Sequence, residues 1–67
     1  MKKFKIINSD GEMLEMVFAN NERQALCIYL MNHVELTDMM FWKSSFDGRW
    51  RLAEYASEDT YLCAQEV

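Results

Sequence analysis

Residues 4–18, FKIINSDGEMLEMVF, decide the fold of this chain, because they place an Asp-Gly pair between two strand-like runs. An Asp-Gly pair in that setting is a strong signal for a β-hairpin, since glycine readily takes the positive φ that tight turns need. The stretch therefore predicts that the chain begins with two antiparallel strands.

The length of this first loop follows from which strand faces would be apolar. A three-residue loop, residues 9–11, pairs Ile6 with Leu14 and leaves the charged side chains on the other face. A two-residue loop pairs Ile6 with Glu15 and mixes apolar with charged residues on both faces. Because burial of one face sets the register, we predict the three-residue loop with Gly11 left-handed. The predicted apolar face then consists of Phe4, Ile6, Leu14, Met16 and Phe18.

A helix is predicted next, over residues 21–34, which contain neither glycine nor proline. Asn20 or Asn21 can serve as the N-cap, and Asn21 with Gln24 fits a capping box. The apolar residues of this segment extend round most of the helix. Such a helix is usually covered on more than one side. One sheet covers only one side, so we expect a second surface, such as another copy of the chain, to cover the rest.

The second half of the chain repeats the hairpin signal. Asp47-Gly48 lies between the predicted strands 39–45 and 49–56. Residues 57–59, Ser-Glu-Asp, suit a helix start, but residues 60–67 also alternate, and of the two we predict a short fifth strand. The element order is then ββαβββ. This order predicts one small α+β domain over residues 1–67, with a meander-type antiparallel sheet and one main helix packed on one face.

The register of the second hairpin decides where its tryptophans point. A three-residue loop would place Lys43 opposite Arg51, and facing like charges are destabilising. A two-residue loop places Trp42 opposite Ala53 and avoids that pairing. We therefore predict the two-residue loop. It sends Trp42 and Trp50 to opposite faces, one into the core and the other exposed or covered by a partner.

The residue types needed for catalysis do not occur together in this sequence. The only histidine, His33, falls at the predicted helix C-terminus, where it would favour the helix dipole. Its spacing from Cys27 does not suit a metal pair, and no phosphate-binding glycine motif is present. The carboxylates are scattered, with no evident acid and base pair. We expect a protein that is not an enzyme and that uses no metal or cofactor.

Composition indicates the cellular compartment in which the protein works. The chain is 51% hydrophobic, which argues against disorder. Small secreted domains are usually rich in disulfides, whereas this chain has two cysteines and no signal-peptide pattern. No apolar run is long enough to span a membrane. The sequence therefore predicts a cytoplasmic protein with reduced thiols and no membrane partner.

The net charge of −4 lies at the end of the chain, where residues 52–67 contain acidic but no basic side chains. An acidic surface disfavours non-specific binding to nucleic-acid backbones and anionic lipid. It can also meet a basic surface on a protein partner, since complementary charge favours encounter. These acidic side chains are Glu54, Glu58, Asp59 and Glu66.

Aromatic and basic residues alternate in the second hairpin and form the candidate partner-binding set: Trp42, Lys43, Arg49, Trp50 and Arg51. Tryptophan beside arginine is typical of a protein-binding hot spot. The same residue types also suit stacking on nucleobases with contacts to phosphate. Our leading hypothesis is a non-catalytic protein-interaction module that self-associates as a homodimer. A nucleic-acid-binding protein and a purely structural subunit are the alternatives. No motif identifies a family, although accessory or inhibitor proteins of phage or mobile elements are often this small.

Overall fold

The computed structural model describes all residues, 1–67, and shows one helix packed against a five-stranded antiparallel sheet. The predicted α+β class and the order ββαβββ are confirmed. A short 3-10 turn occupies residues 34–36, and residues 54–56 form a turn with left-handed backbone at Tyr55 and Ala56. The bounds are β1 Lys2–Asn8, β2 Met13–Ala19, α1 Glu22–Asn32, β3 Met40–Lys43, β4 Trp50–Ala53 and β5 Leu62–Glu66.

The strand order across the sheet is β2-β1-β5-β4-β3. The last three strands form a meander, and β5 then pairs antiparallel with β1, so the last strand of the chain lies at the centre of the sheet. Ile6 lies opposite Ala64, and Leu52 lies opposite Leu62. The predicted fifth strand is confirmed, and it joins the two hairpins into one sheet.

The first loop has the predicted length. The backbone N–H of Asn8 donates to the carbonyl of Glu12 at 3.0 Å, and Gly11 has φ +86°. The Asn8 side chain closes the turn further, because its Oδ1 accepts hydrogen bonds from the backbone N–H groups of Asp10 and Glu12. An asparagine that bonds its own turn in this way stabilises the loop.

The register predicted beyond that loop is wrong. A β-bulge between Ile6 and Ile7 shifts the pairing by one residue, so Ile6 lies opposite Glu15 rather than Leu14. A bulge inserts an extra residue into one strand, and here Leu14 is that residue. The shift turns the rest of β2 over, so Val17 becomes buried while Phe18 is 60% exposed.

The reason for the shift lies in how closely the helix packs on the sheet. Ala19 and Ala64 lie on the strands beneath the helix, and Ala25 lies on the helix itself; all are fully buried. Small side chains at these positions let the two backbones approach. With Met16 and Phe18 on that side, as predicted, bulky side chains would occupy the same space.

Both loop lengths weighed for the second hairpin are wrong. The loop has four residues, 45–48, because the Ser44 N–H donates to the carbonyl of Arg49 at 2.9 Å. Lys43 then lies opposite Trp50, and Trp42 lies opposite Arg51. The longer loop separates the like charges and lets Arg51 stack on Trp42. The prediction that the two tryptophans lie on opposite faces is confirmed.

The helix begins as predicted at the N-cap Asn21, whose Oδ1 accepts a hydrogen bond from the Gln24 N–H at 2.8 Å. It ends at Asn32, because His33 is its C-cap. The sheet covers one side of the helix and buries Leu26 there. On another side Met31 is 71% exposed, so the expected second covering surface is not supplied by this chain.

Candidate interaction surfaces

The sheet divides the predicted partner-binding residues between its two sides, here called the helix side, which faces α1, and the open side. Trp42 and Arg51 lie on the open side, whereas Lys43 and Trp50 lie on the helix side. Arg49 is exposed where the loop enters β4. The structure therefore does not bring these five residues together on one surface.

Arg51 is only 7% exposed and its charge is compensated within the protein. Its Nη2 lies 2.7 Å from Oδ2 of Asp47, and its Nη1 lies 3.3 Å from Oε2 of Glu58. The guanidinium also stacks on the ring of Tyr61, at 4.1 Å from the ring centroid. These contacts fill the open side at the β4 end of the sheet, and they leave Arg51 little capacity to bind a phosphate.

The two tryptophans have different surroundings. Trp50 packs against the core on the helix side, with the Arg23 guanidinium 5.2 Å from its ring centroid. Trp42 is half-buried on the open side, and its indole Nε1 is buried without a hydrogen-bond partner. Buried indole N–H groups usually find an acceptor, so Trp42 is the more unusual of the two.

Apolar residues are exposed on the open side at the opposite edge of the sheet. Met13, Met16 and Phe18 project from β2 on this side, opposite Ile7, Lys5 and Lys3 of β1. We call these three β2 residues the β2 patch. Sequence analysis placed Met16 and Phe18 in the core. The strand alternation contains no signal for the bulge that moves them, and only the small Ala19 hints at which side the helix covers.

The patch continues into an unpaired strand edge, because β2 is the first strand of the sheet. This strand runs for seven residues, and Glu15 is its single charged side chain. Proteins usually protect such edges with lysine, proline or a covering loop. Within β2 the sequence has neither lysine nor proline, so the edge is open to pairing with another strand.

A cavity of about 560 Å³ lies at the end of α1 where the helix, the first loop and residues 54–62 meet. Three tyrosines line it: Tyr29, Tyr55 and Tyr61. Its only charged lining residues are Asp10 and Glu54, with no lysine or arginine among them. Sequence analysis missed this cavity, because its walls come from segments that are far apart in the chain.

Tyr29 forms part of the cavity wall and is 7% exposed. Its ring stacks on His33, with the centroids 4.1 Å apart. Burial, followed by the nearby charges of Glu15 and Glu35, raises the pKa of Tyr29, so its hydroxyl stays protonated at neutral pH. The predicted position of His33 at the helix end is confirmed, and there its Nδ1 lies 3.3 Å from Oε1 of Glu35.

The rim of the cavity carries unusual backbone. Tyr55 and Ala56 have φ angles of +57° and +52°. Residues other than glycine seldom take these values, because the Cβ atom then crowds the following carbonyl. The Tyr55 side chain is 87% exposed, so the strained turn presents an aromatic ring to solvent at the rim.

Cys27 and Cys63 are both free and half-buried, and burial raises the pKa of the Cys63 thiol. No group of three histidine, cysteine, aspartate or glutamate residues is placed to hold a metal ion. None of the helices combines the length and apolar character needed to cross a membrane. Comparison with protein-family models, curated proteins and solved structures gives no match to this chain.

Proposed function

We propose that this protein is a non-catalytic protein-interaction module that works as a homodimer, with a second copy covering the β2 patch and the β2 edge. The observation that carries the proposal is the β2 patch itself, three large apolar side chains exposed along one strand edge. Single exposed apolar residues are ordinary, but a contiguous patch is typical of an interaction site.

The chemistry of β2 favours a second copy as the occupant. Two copies of β2 that pair antiparallel about Met16 would place each Glu15 opposite the other copy's Val17, so no like charges meet. Such a twofold interface is the commonest kind in homo-oligomers. Domains of this size often gain stability from a partner subunit, and this pairing would bury the exposed Phe18.

Light scattering during size-exclusion chromatography tests the dimer with Met16→Lys and a matched control, Met31→Lys. Both changes put a lysine in place of an exposed methionine, but Met31 lies on α1, on the other side of the sheet from the β2 patch. We expect the wild type and Met31→Lys to be dimers and Met16→Lys to be a folded monomer by circular dichroism. A monomeric wild type at every practical concentration, or equal loss of the dimer in both variants, contradicts the proposal.

Nucleic-acid binding through the second hairpin has less support. Arg51 is paired with two carboxylates, which leaves Lys43 and Arg49 as the exposed bases of that hairpin. Titration of tryptophan fluorescence with oligonucleotides checks this alternative. Quenching that weakens steeply with salt would favour it, because phosphate contacts release counterions.

We also propose that the protein acts in the cytoplasm with both thiols reduced. The two cysteines are unpaired and half-buried, as small apolar residues often are.

A purely structural subunit is the remaining alternative to an interaction module. A dimer that captures no further protein would favour this alternative. Capture experiments with Trp42→Ala, on the open side, and Trp50→Ala, on the helix side, check whether either tryptophan contributes to such a partner site.

A further inference from the structure

We infer that the cavity at the end of α1 is a binding site for a guanidinium group, the charged end of an arginine side chain. The cavity contains none of the β2 patch residues used by the proposed dimer, although Leu14 of β2 forms part of its wall. The cavity volume of about 560 Å³ lies within the range of ligand pockets, and its walls are mainly aromatic, aliphatic and hydroxyl groups.

The charge of the walls selects a cation. Asp10 and Glu54 line the cavity, and none of its lining residues is basic. A concave site with charges of one sign raises the local concentration of ions of the opposite sign. Phosphates and carboxylates are therefore disfavoured, whereas a group that carries a positive charge and hydrogen-bond donors is complementary to the site.

The tyrosines that line the cavity can bind a cation through their rings and hydroxyl groups. A cation over the face of an aromatic ring is attracted by the ring quadrupole. Tyr29 is 7% exposed in the wall, and its hydroxyl group makes no hydrogen bond within the protein. The hydroxyl is not among the polar atoms that are buried without a partner, so it remains open to solvent or to a ligand. That hydroxyl oxygen can accept a hydrogen bond from a bound N–H donor.

The protein already holds a guanidinium group in this way. Arg51 lies between the rings of Tyr61 and Trp42 and pairs with the carboxylates of Asp47 and Glu58. Tyr61 also lines the cavity, so the rings that Arg51 does not already occupy there are those of Tyr29 and Tyr55, which line it together with the carboxylates of Asp10 and Glu54. A planar guanidinium can stack on rings and bridge carboxylate oxygens together, which a lysine ammonium cannot.

Nuclear magnetic resonance titration of the isotope-labelled full chain tests the site, with N-acetyl-arginine amide as the probe and N-acetyl-citrulline amide as its neutral analogue. We expect the arginine probe to shift the amide signals of Tyr29, Tyr55 and Thr60. Citrulline should bind at least about tenfold more weakly, because it lacks the charge that strengthens these hydrogen bonds. Equal binding of citrulline, or of the corresponding lysine amide, overturns the guanidinium assignment.

Two glutamates provide the matched variants. Glu54→Gln removes a cavity charge, whereas Glu66→Gln removes a charge near the opposite end of β5. We expect Glu54→Gln to weaken arginine binding severalfold and Glu66→Gln to leave it unchanged. Equal weakening in both variants means that the probe responds only to net charge, and the site is then rejected.

Two further measurements complete the test. Comparing the arginine amide with an acetylated Gly-Arg-Gly amide separates the sources of the group. Tighter binding of the tripeptide identifies an arginine of a polypeptide, and equal binding identifies a small cationic molecule. Met16→Lys should bind the probe as the wild type does, since the cavity does not include β2 patch residues. If the protein is not a dimer, the cavity site can therefore still be tested. Loss of probe binding in Met16→Lys contradicts the independence of the two sites.

Discussion

The helix side and the open side of the sheet are built by the same strands, yet α1 covers only the helix side. On the helix side Phe4, Ile6 and Leu52 are fully buried. On the open side Met16 and Phe18 remain exposed, although they are equally apolar. The difference shows that apolar character alone does not choose the buried face. Close packing does, because α1 lies over the alanines of the sheet.

The open side itself has two different ends. At the β4 end, the Arg51 guanidinium and the rings of Trp42 and Tyr61 cover the strands. At the β2 end, Lys3 Nζ lies 6.0 Å from the Phe18 ring centroid, but the ring is still 60% exposed. One end is therefore completed by the chain itself, and the other is where a second copy is proposed to bind.

The largest expected loss of stability comes from a substitution in the core on the helix side. Leu26→Ala removes a fully buried side chain of α1 and should lower the free energy of unfolding by about 2 to 5 kcal/mol, because it loses apolar burial and leaves a cavity. Urea denaturation followed by circular dichroism measures it. Met31→Ala, on the exposed part of the same helix, should change stability by less than about 0.5 kcal/mol. Similar losses in both variants would mean that α1 is not packed on the sheet as described.

A smaller loss is expected at the β4 end of the open side. Arg51→Met keeps much of the apolar stem but removes the bonds to Asp47 and Glu58, which should cost about 1 to 3 kcal/mol of unfolding free energy. Arg49→Met is the matched control, since Arg49 is exposed and forms no salt bridge, and it should be close to neutral. If Arg51→Met is also neutral, the stacked guanidinium does not hold that end of the sheet together.

Raising the pH tests the helix side and the open side of the sheet without a substitution. Burial raises the pKa of Tyr29 on the helix side and of Cys63 on the open side. Because these pKa values are raised, the folded protein holds the phenol and thiol protons to a higher pH than the unfolded chain does. The contribution of each group to the free energy of unfolding is complete below the pKa that the group has in the unfolded chain. It is lost as the pH rises from about 8.5, the ordinary pKa of a thiol. Thermal unfolding at several pH values should show this decline, and Cys63→Ala should reduce its thiol part.

The smallest expected effect concerns the β2 patch. Phe18→Ser in the Met16→Lys background should change the unfolding free energy of the monomer by less than about 0.5 kcal/mol, because the ring is already exposed. A buried phenylalanine would cost several times more, about 3 to 5 kcal/mol. Chemical denaturation of the two monomeric variants measures the difference. A large loss of unfolding free energy would mean that Phe18 is buried in the core, as the alternation of the first hairpin predicts.

Local chemistry made several features of the fold predictable. Gly11 and Asn21 act through atoms a few residues away, as a left-handed turn residue and as an N-cap. Their roles therefore depend little on the rest of the chain. The fifth strand was predicted as well, although its burial does not alternate along the strand and its pairing partners are distant in the chain.

The registers and the candidate sites were not predictable in the same way. The bulge at Leu14 depends on α1 approaching over Ala19 and Ala64, which alternation along a strand does not record. The second loop depends on Arg51 reaching two carboxylates and two rings at once. The same contacts bury Arg51, which was predicted to bind a partner.

The sequence sets where the two hairpins turn and where the capped helix begins. These follow from interactions between near neighbours in the chain. Only the tertiary structure decided which sheet side is covered and where the cavity forms. Those features need residues as distant as Asn8 and Leu62 to meet, and such meetings depend on packing volume and charge pairing across the whole domain.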